Sequence, residues 1–172
     1  MNKKILFLTK AAVIAALYAV LTLIGAVMNL SYGGIQFRFS EALCVLPLFT
    51  SAAVPGLFIG CIAANVISTV SPFDMLFGAL ATLFAALASK RLGGIKIKGY
   101  PFCSLLTPVI FNGLMIGAQI AFFTSRSTFF TAFAVNAASI ALSEAAVMLT
   151  LGSAVYFGIK KNGALNKLIA DR

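Results

Sequence analysis

The chain of 172 residues contains no histidine, no tryptophan and only four acidic residues. The absence of histidine and of a GxSxG sequence argues against the common membrane hydrolases. No GxxxxGK[ST] motif is present, so the chain cannot bind ATP through a phosphate loop of its own. We therefore expect a protein that is not an enzyme, with no metal site and no cofactor.

The three cysteines show none of the spacings that metal or redox sites use. Cys44, Cys61 and Cys103 lie in apolar stretches without a CxxC pattern. We interpret them as small buried hydrophobic residues rather than as disulfide partners or metal ligands.

Hydrophobic residues, in contrast, make up 61% of the chain, and the mean hydropathy is +1.04. A soluble domain of this size could not bury so much apolar surface, so the surroundings must be lipid. No polar linker interrupts residues 1–172, which predicts a single membrane domain. The formal net charge of +9 is explained by the charge bias of membrane insertion, without a nucleic-acid partner.

Six apolar segments predict an all-α integral membrane protein with six transmembrane helices. The first, fifth and sixth exceed the roughly 20 residues that cross a bilayer. The other three are shorter, and Pro55-Gly56 and Ser71-Pro72 separate them. The predicted spans are 5–28, 41–54, 56–70, 74–89, 102–124 and 131–158.

The basic residues are unevenly distributed over the predicted loops. Eleven of the 13 fall on the side that holds both termini, and only Arg38 and Arg126 fall on the other. Because positive loops stay in the cytoplasm, we expect both termini to be cytoplasmic. The eleven are Lys3, Lys4, Lys10, Lys90, Arg91, Lys96, Lys98, Lys160, Lys161, Lys167 and Arg172.

Polar side chains inside the predicted spans concentrate in the outer half of the membrane. At about 1.5 Å per residue, Glu144 lies about 24 Å and Gln119 about 25 Å from the cytoplasmic ends of their helices, and Asn112 about 15 Å. Since intramembrane polar groups are costly, they are functional candidates. We expect an outward-facing pocket closed at its base. Further members are Asn65, Asn136, Ser139 and Ser143.

Some of these side chains also have a purely structural explanation. Asn65 and Ser139 are equally well explained as hydrogen-bonding groups between helices. Asp74 follows Ser71-Pro72, where a carboxylate is favoured by the helix dipole.

The stretch YGGIQFRFSEAL, residues 32–43, places Arg38 and Glu41 at the start of the second span. If helical, these two are three residues apart and share a face. Gly33 and Gly34 permit a hinge, so we interpret the stretch as a lid over the pocket. The alternative is an ion pair at the membrane surface.

Ala11, Ala15 and Ala19 recur every four residues on the first predicted helix. Small residues at this spacing let two helix backbones approach closely in lipid. The ridge fits a partner surface or packing within the same chain.

Three sequence blocks are similar to one transporter family. They are GGIQFRFSEAL, LPLFTSAAVPGLFIGCIAANVIS and SPFDMLFGALATLFAAL, and the likeness covers nearly the whole chain. Together with the alanine ridge, they resemble the QueT family of queuosine-precursor transporters. The family members are substrate-binding (S) components of energy-coupling factor (ECF) transporters.

The resemblance implies an S-component-like bundle in a bacterial plasma membrane, which binds a 7-deazaguanine base from outside. It also implies a membrane coupling protein, which would meet the alanine ridge, and two partner ATPases. A 7-deazaguanine offers two parallel donors that Glu144 or Glu41 can accept, and a cationic substituent would suit Asp74. Phe37 or Phe39 would stack on the ring. The candidate site residues are Gln36, Phe37, Arg38, Glu41, Asn65, Asp74, Asn112, Gln119, Asn136, Ser143 and Glu144.

Two other functions fit the same residues. One is an S component for a different vitamin, because ligand pockets vary on a shared scaffold. The other is a free-standing carrier coupled to protons through Glu144.

Overall fold

The computed structural model describes residues 2–28, 37–67, 72–124 and 126–171. Within these ranges the chain is helical, without a β-strand. The seven α-helices are α1 (Lys3–Val27), α2 (Ala53–Ile67), α3 (Pro72–Leu92), α4 (Phe102–Thr124), α5 (Phe129–Val147), α6 (Ser153–Lys161) and α7 (Gly163–Ile169). A 3₁₀ helix, Phe39–Leu48, precedes α2, a 3₁₀ turn at Arg126–Thr128 precedes α5, and a π-helical turn at Met148–Gly152 joins α5 to α6.

Among the residues that the structure describes, four helical stretches are long and apolar enough to cross a bilayer. They are Lys3–Val27, Met75–Leu92, Phe102–Thr124 and Phe129–Lys161, the last running through the π-helical turn. This confirms the prediction of an all-helical, multi-pass membrane protein. The predicted boundaries 102–124 coincide with those of α4.

The structure corrects the predicted spans 41–54 and 56–70, which are shorter than spanning α-helices. The first is the 3₁₀ helix of ten residues, about 20 Å long at its rise of about 2.0 Å per residue. The second is α2, whose 15 residues rise about 22 Å. Pro47 lies inside the 3₁₀ helix and has no N–H to donate. Runs of 3₁₀ helix beyond three or four residues are uncommon, so this segment depends on its surroundings.

Tertiary packing supplies that support. Residues Ser40 to Pro47 of the 3₁₀ helix are all buried. The segment contacts α1, α2, α3, α4, α5, the π-helical turn and α6. The 3₁₀ helix therefore lies at the centre of the bundle, although it is too short to span a bilayer by itself.

Helices α1 and α2 run in the same direction and approach closely through glycine. A Cβ added to Gly56 would lie 2.8 Å from the carbonyl oxygen of Ala11, and one added to Gly60 would lie 2.7 Å from that of Ala15. Only glycine leaves room for such an approach, which is the packing that small residues favour in membranes.

The following helices alternate in direction. Thr82 Oγ1 of α3 lies 3.5 Å from Cys61 Sγ of α2. Thr107 Oγ1 of α4 donates to the carbonyl of Ala85 at 3.0 Å. A Cβ on Gly117 of α4 would lie 2.8 Å from the backbone of Ala137 in α5. Each of these contacts buries a polar or small residue between neighbouring helices.

One end of the bundle collects basic side chains and the C-terminal segment. Lys10 Nζ donates to the carbonyls of Ile169 and Ala170, both at 2.9 Å. The Asp171 carboxylate accepts from Thr50 Oγ1 at 2.7 Å and from the Ser51 N–H at 2.8 Å. Lys90 Nζ reaches Ser51 Oγ at 2.6 Å. We refer to this end as the basic end.

Candidate functional site

Two carboxylates and one guanidinium lie buried inside the helical bundle. Glu41 is 0% exposed, Glu144 3% and Arg38 4%. The guanidinium of Arg38 interacts electrostatically with both carboxylates, and the two carboxylates interact with each other. Glu41 comes from the 3₁₀ helix and Glu144 from α5, so tertiary folding joins residues far apart in sequence. Charges are buried in this way only where partners compensate for the lost hydration.

The carboxylate of Glu41 has a donor on each oxygen. The Tyr18 hydroxyl of α1 donates to Oε1. The Cys44 thiol, three residues along the 3₁₀ helix, lies 3.1 Å from Oε2. Both donors are fully buried. The orientation of this carboxylate is therefore fixed by its neighbours.

Glu144 is held by an amide from the adjacent helix. Asn112 Nδ2 of α4 donates to Glu144 Oε1 at 2.5 Å, and both side chains are buried. The other two acceptors of this pair, Asn112 Oδ1 and Glu144 Oε2, have no hydrogen-bond partner among the described residues. A buried acceptor without a donor destabilises the fold by about 1–3 kcal/mol. Donors from a bound molecule would remove this penalty.

Asn65 lies on the Arg38 side of the cluster. A Cβ placed on Gly78 of α3 would lie 3.3 Å from Asn65 Nδ2 and 3.7 Å from a guanidinium nitrogen of Arg38. Asn65 Nδ2 also lies 3.4 Å from Cys61 Sγ. The glycine thus leaves space beside both polar groups, and a side chain at this position would intrude on them.

The structure brings together five of the sequence-predicted site residues. Arg38, Glu41, Asn65, Asn112 and Glu144 lie in one buried cluster. We refer to these five as the polar cluster.

The remaining candidates are placed less centrally or lie outside the described residues. Gln119 is buried on α4, while Phe37 is half-buried. Asn136 Nδ2 donates to the Ala132 carbonyl at 2.7 Å, and Ser143 Oγ to the Ser139 carbonyl at 3.0 Å. Gln36, with the hinge glycines of the predicted lid, lies outside the described residues. So does the side chain of Asp74, whose backbone is in the first turn of α3.

Tyr18, Cys44 and Cys61 were not predicted as parts of the site. Cys44 and Cys61 are buried, as expected, whereas Cys103 is only half-buried. The thiols of Cys44 and Cys61 also contact polar side chains. Tyr18 could have been found, because a tyrosine hydroxyl within a membrane span needs a hydrogen-bonding partner. The cysteines gave no such signal, since buried thiols are usually packing residues.

The alanine ridge of α1 is divided between two surroundings. Ala11 is buried against α2, whereas Ala15 and Ala19 are half-buried. Packing within the chain therefore occupies part of the ridge. On the other side of α1, Val13, Leu17 and Val20 are each about half exposed. That face is open to lipid or to a partner protein.

Together these features define a class of protein. A multi-pass helical bundle with ionisable side chains buried at its centre is a membrane protein with an internal polar site, as transporters have.

Comparison with known proteins identifies the family. The QueT transporter family matches residues 8–161, so this chain belongs to that family. The chain is also 39% identical over 72 residues to the queuosine precursor transporter QueT of Lactococcus lactis subsp. cremoris (strain MG1363). That match covers 42% of this chain and 42% of the relative's length. No solved structure matches the chain.

Proposed function

We propose that this chain is the membrane subunit that captures a queuosine precursor, a 7-deazaguanine base, from outside the cell. The observation that carries the proposal is the pair of buried acceptors, Asn112 Oδ1 and Glu144 Oε2, without a donor among the described residues. The family match and the name of the Lactococcus relative, a queuosine precursor transporter, support a queuosine precursor as the substrate.

The chemistry of the base complements this pair. The pyrimidine edge of a 7-deazaguanine presents a ring N–H and an exocyclic amine as neighbouring donors. These donors would satisfy the two buried acceptors at once, so binding relieves a cost that the empty site carries. Arg38 and Asn65 supply donors for the ring carbonyl, and Glu41 is the second carboxylate available to the base. Gln36, Phe37, Asp74, Gln119, Asn136 and Ser143 remain candidate contacts.

The proposed topology is six crossings with both termini in the cytoplasm of a bacterial cell. Four helices are long enough to span, and the 3₁₀ helix and α2 would complete the six as short crossings. The basic end would then face the cytoplasm by the positive-inside bias. The polar cluster would lie towards the outside.

We further propose that energy for release comes from other proteins. The sequence holds no phosphate loop, so ATP hydrolysis would be performed by two partner ATPases joined through a membrane coupling protein. The half-buried part of the alanine ridge, at Ala15 and Ala19, is the proposed contact for that protein. The polar cluster is at most 5% exposed at each member, so substrate exchange requires helices to move.

A ligand panel on the purified protein tests the proposal. Thermal unfolding is measured with queuine, 7-aminomethyl-7-deazaguanine, 7-cyano-7-deazaguanine, guanine, thiamin, riboflavin and biotin. We expect stabilisation by the deazaguanines alone or most strongly. Stabilisation by a vitamin instead would assign the chain to another substrate.

Uptake assays test the energy source separately. Accumulation of labelled queuine should require the coupling protein and the ATPases in the same cells. Uptake that persists without them and collapses with a proton uncoupler would identify a free-standing carrier.

A further inference from the structure

Tyr18 connects the first helix to the polar cluster. It lies on α1 between Ala15 and Ala19, it is 0% exposed, and its hydroxyl donates to Glu41 Oε1. Glu41 lies 23 residues further along the chain, on the 3₁₀ helix. The contact is thus a long-range link between the first helix and a buried carboxylate of the polar cluster.

The backbone and Cβ of Tyr18 pack closely against neighbouring residues. A Cβ added to Gly60 would lie 2.8 Å from Tyr18 Cβ, so α1 and α2 touch at this position. The Thr22 hydroxyl lies 2.9 Å from the Tyr18 carbonyl and 2.7 Å from Ser40 Oγ. This second contact ties the next turn of α1 to the start of the 3₁₀ helix. These contacts fix the position of the Tyr18 backbone and thereby restrict where its hydroxyl can lie.

The 3₁₀ helix needs such support because it lacks the stability of an α-helix. Its hydrogen-bond geometry is poorer, and its length of ten residues is unusual. Glu41 is in its first turn, where one i→i+3 bond from its N–H to the Arg38 carbonyl, at 3.0 Å, fixes the backbone. The side chain is then oriented by Tyr18 on one oxygen and by Cys44 on the other.

We propose that Tyr18 is a positioning residue for substrate binding, which holds the Glu41 carboxylate in the orientation that accepts a donor of the base. The inference rests on the proposed function of the polar cluster. A displacement of α1 would move the Tyr18 hydroxyl and thereby reorient the Glu41 carboxylate.

A double-mutant cycle tests the inference in the purified full-length protein. Calorimetry gives the dissociation constant of 7-aminomethyl-7-deazaguanine for the wild type, Tyr18→Phe, Glu41→Gln and the double variant. Tyr18→Phe removes only the hydroxyl and should weaken binding by about tenfold. In the Glu41→Gln background the same change should have almost no further effect, because Tyr18 acts through that carboxylate.

Thr22→Val is the matched control. It removes a hydroxyl from the same face of α1, one turn away, that contacts Ser40 rather than the carboxylate. We expect its affinity to stay within about twofold of the wild type. An equal loss of affinity in Tyr18→Phe and Thr22→Val would indicate a general loosening of the contact between α1 and the 3₁₀ helix. That result would refute the positioning role of Tyr18.

The outcomes separate the two proposals. Wild-type protein that binds no member of the deazaguanine panel would refute the proposed function, and the inference with it. If Glu41→Gln lowers the affinity while Tyr18→Phe leaves it unchanged, the inference is refuted and the proposed function is not. Tyr18→Phe could also reduce the affinity equally in the wild type and in the Glu41→Gln background. That result would show that the tyrosine acts independently of the carboxylate and would refute the inference.

Discussion

Asn112 and Glu144 face each other from α4 and α5, and the amide of the first donates to Oε1 of the second at 2.5 Å. Both side chains are buried, and each keeps one acceptor without a donor among the described residues. The pair holds itself in place while leaving two acceptors available. If the pair binds substrate as proposed, its contributions to bundle stability and to affinity can be separated by mutation.

Substitution of Glu144 tests the binding role. Glu144→Gln keeps the size of the side chain but replaces an anionic acceptor by a neutral amide, so deazaguanine affinity should fall by about tenfold or more. Isothermal titration calorimetry on purified protein measures the change. Thr150→Val is a suitable control, because its exposed hydroxyl donates to the Ala146 carbonyl of its own helical stretch. Unchanged affinity in Glu144→Gln would remove this residue from the site.

Substitution of Asn112 tests the structural role of the pair. Asn112→Ala removes the amide that donates to the buried Glu144 carboxylate and should lower the free energy of unfolding by about 1–3 kcal/mol. The double variant Asn112→Leu/Glu144→Met replaces both polar partners by apolar side chains and should recover most of that loss without restoring binding. Thermal unfolding and calorimetry distinguish the two effects. A double variant less stable than Asn112→Ala would contradict this explanation.

The close approach of α1 and α2 predicts a contrast between two glycines. A Cβ at Gly60 would lie 2.7 Å from the Ala15 carbonyl and 2.8 Å from Tyr18 Cβ, so Gly60→Ala must push the helices apart. We expect a loss of about 1–3 kcal/mol in stability. Gly158 of α6 has open space around its Cβ position, and Gly158→Ala should be neutral or stabilising by up to about 1 kcal/mol. Thermal unfolding of both variants side by side checks the contrast, and equal effects would refute it.

The contacts at the basic end predict a dependence of stability on pH. Partial burial opposes ionisation of Asp171, but donors from Ser51 and Thr50 outweigh it and hold the pKa of this carboxyl below its usual value. The stabilisation should therefore be present above the usual pKa of about 3.9, and it should disappear as the pH falls through the lowered pKa. Because the group is largely exposed, the contribution is small.

Asp171→Asn provides the measurement. At pH 7 and pH 5 the variant should unfold at a lower temperature than the wild type by a constant amount. Below about pH 4 the difference between the two should shrink, because the wild type loses its ionised carboxylate. A difference that stays constant down to pH 2 would show that the carboxylate charge is not the source of the stabilisation.

The sequence predicted α4 to the residue, because α4 is a long apolar stretch between clear boundaries. It did not predict the 3₁₀ helix, since Phe39–Leu48 is as apolar as a spanning helix, and only Pro47 and the segment's short length hint otherwise. Hydropathy depends on composition, whereas the 3₁₀ form depends on the helices that surround the segment.

The candidate site followed a similar division. Polar residues in apolar spans are conspicuous in the sequence, and four of them meet in the polar cluster together with Arg38, which the sequence placed in an outer loop. The hydroxyl of Tyr18 inside a predicted span indicated that it needs a partner, but no local pattern could show that this partner is Glu41, 23 residues away.

The sequence by itself therefore determined the lipid surroundings, the helical class and the few polar side chains that need partners, because these follow from hydropathy and from the cost of burying polar groups. Only the tertiary structure decided which of those side chains are partners. Gly56 and Gly60 let α2 approach α1, and Gly117 lets α4 approach α5. In this packing Tyr18 contacts Glu41, and Asn112 contacts Glu144.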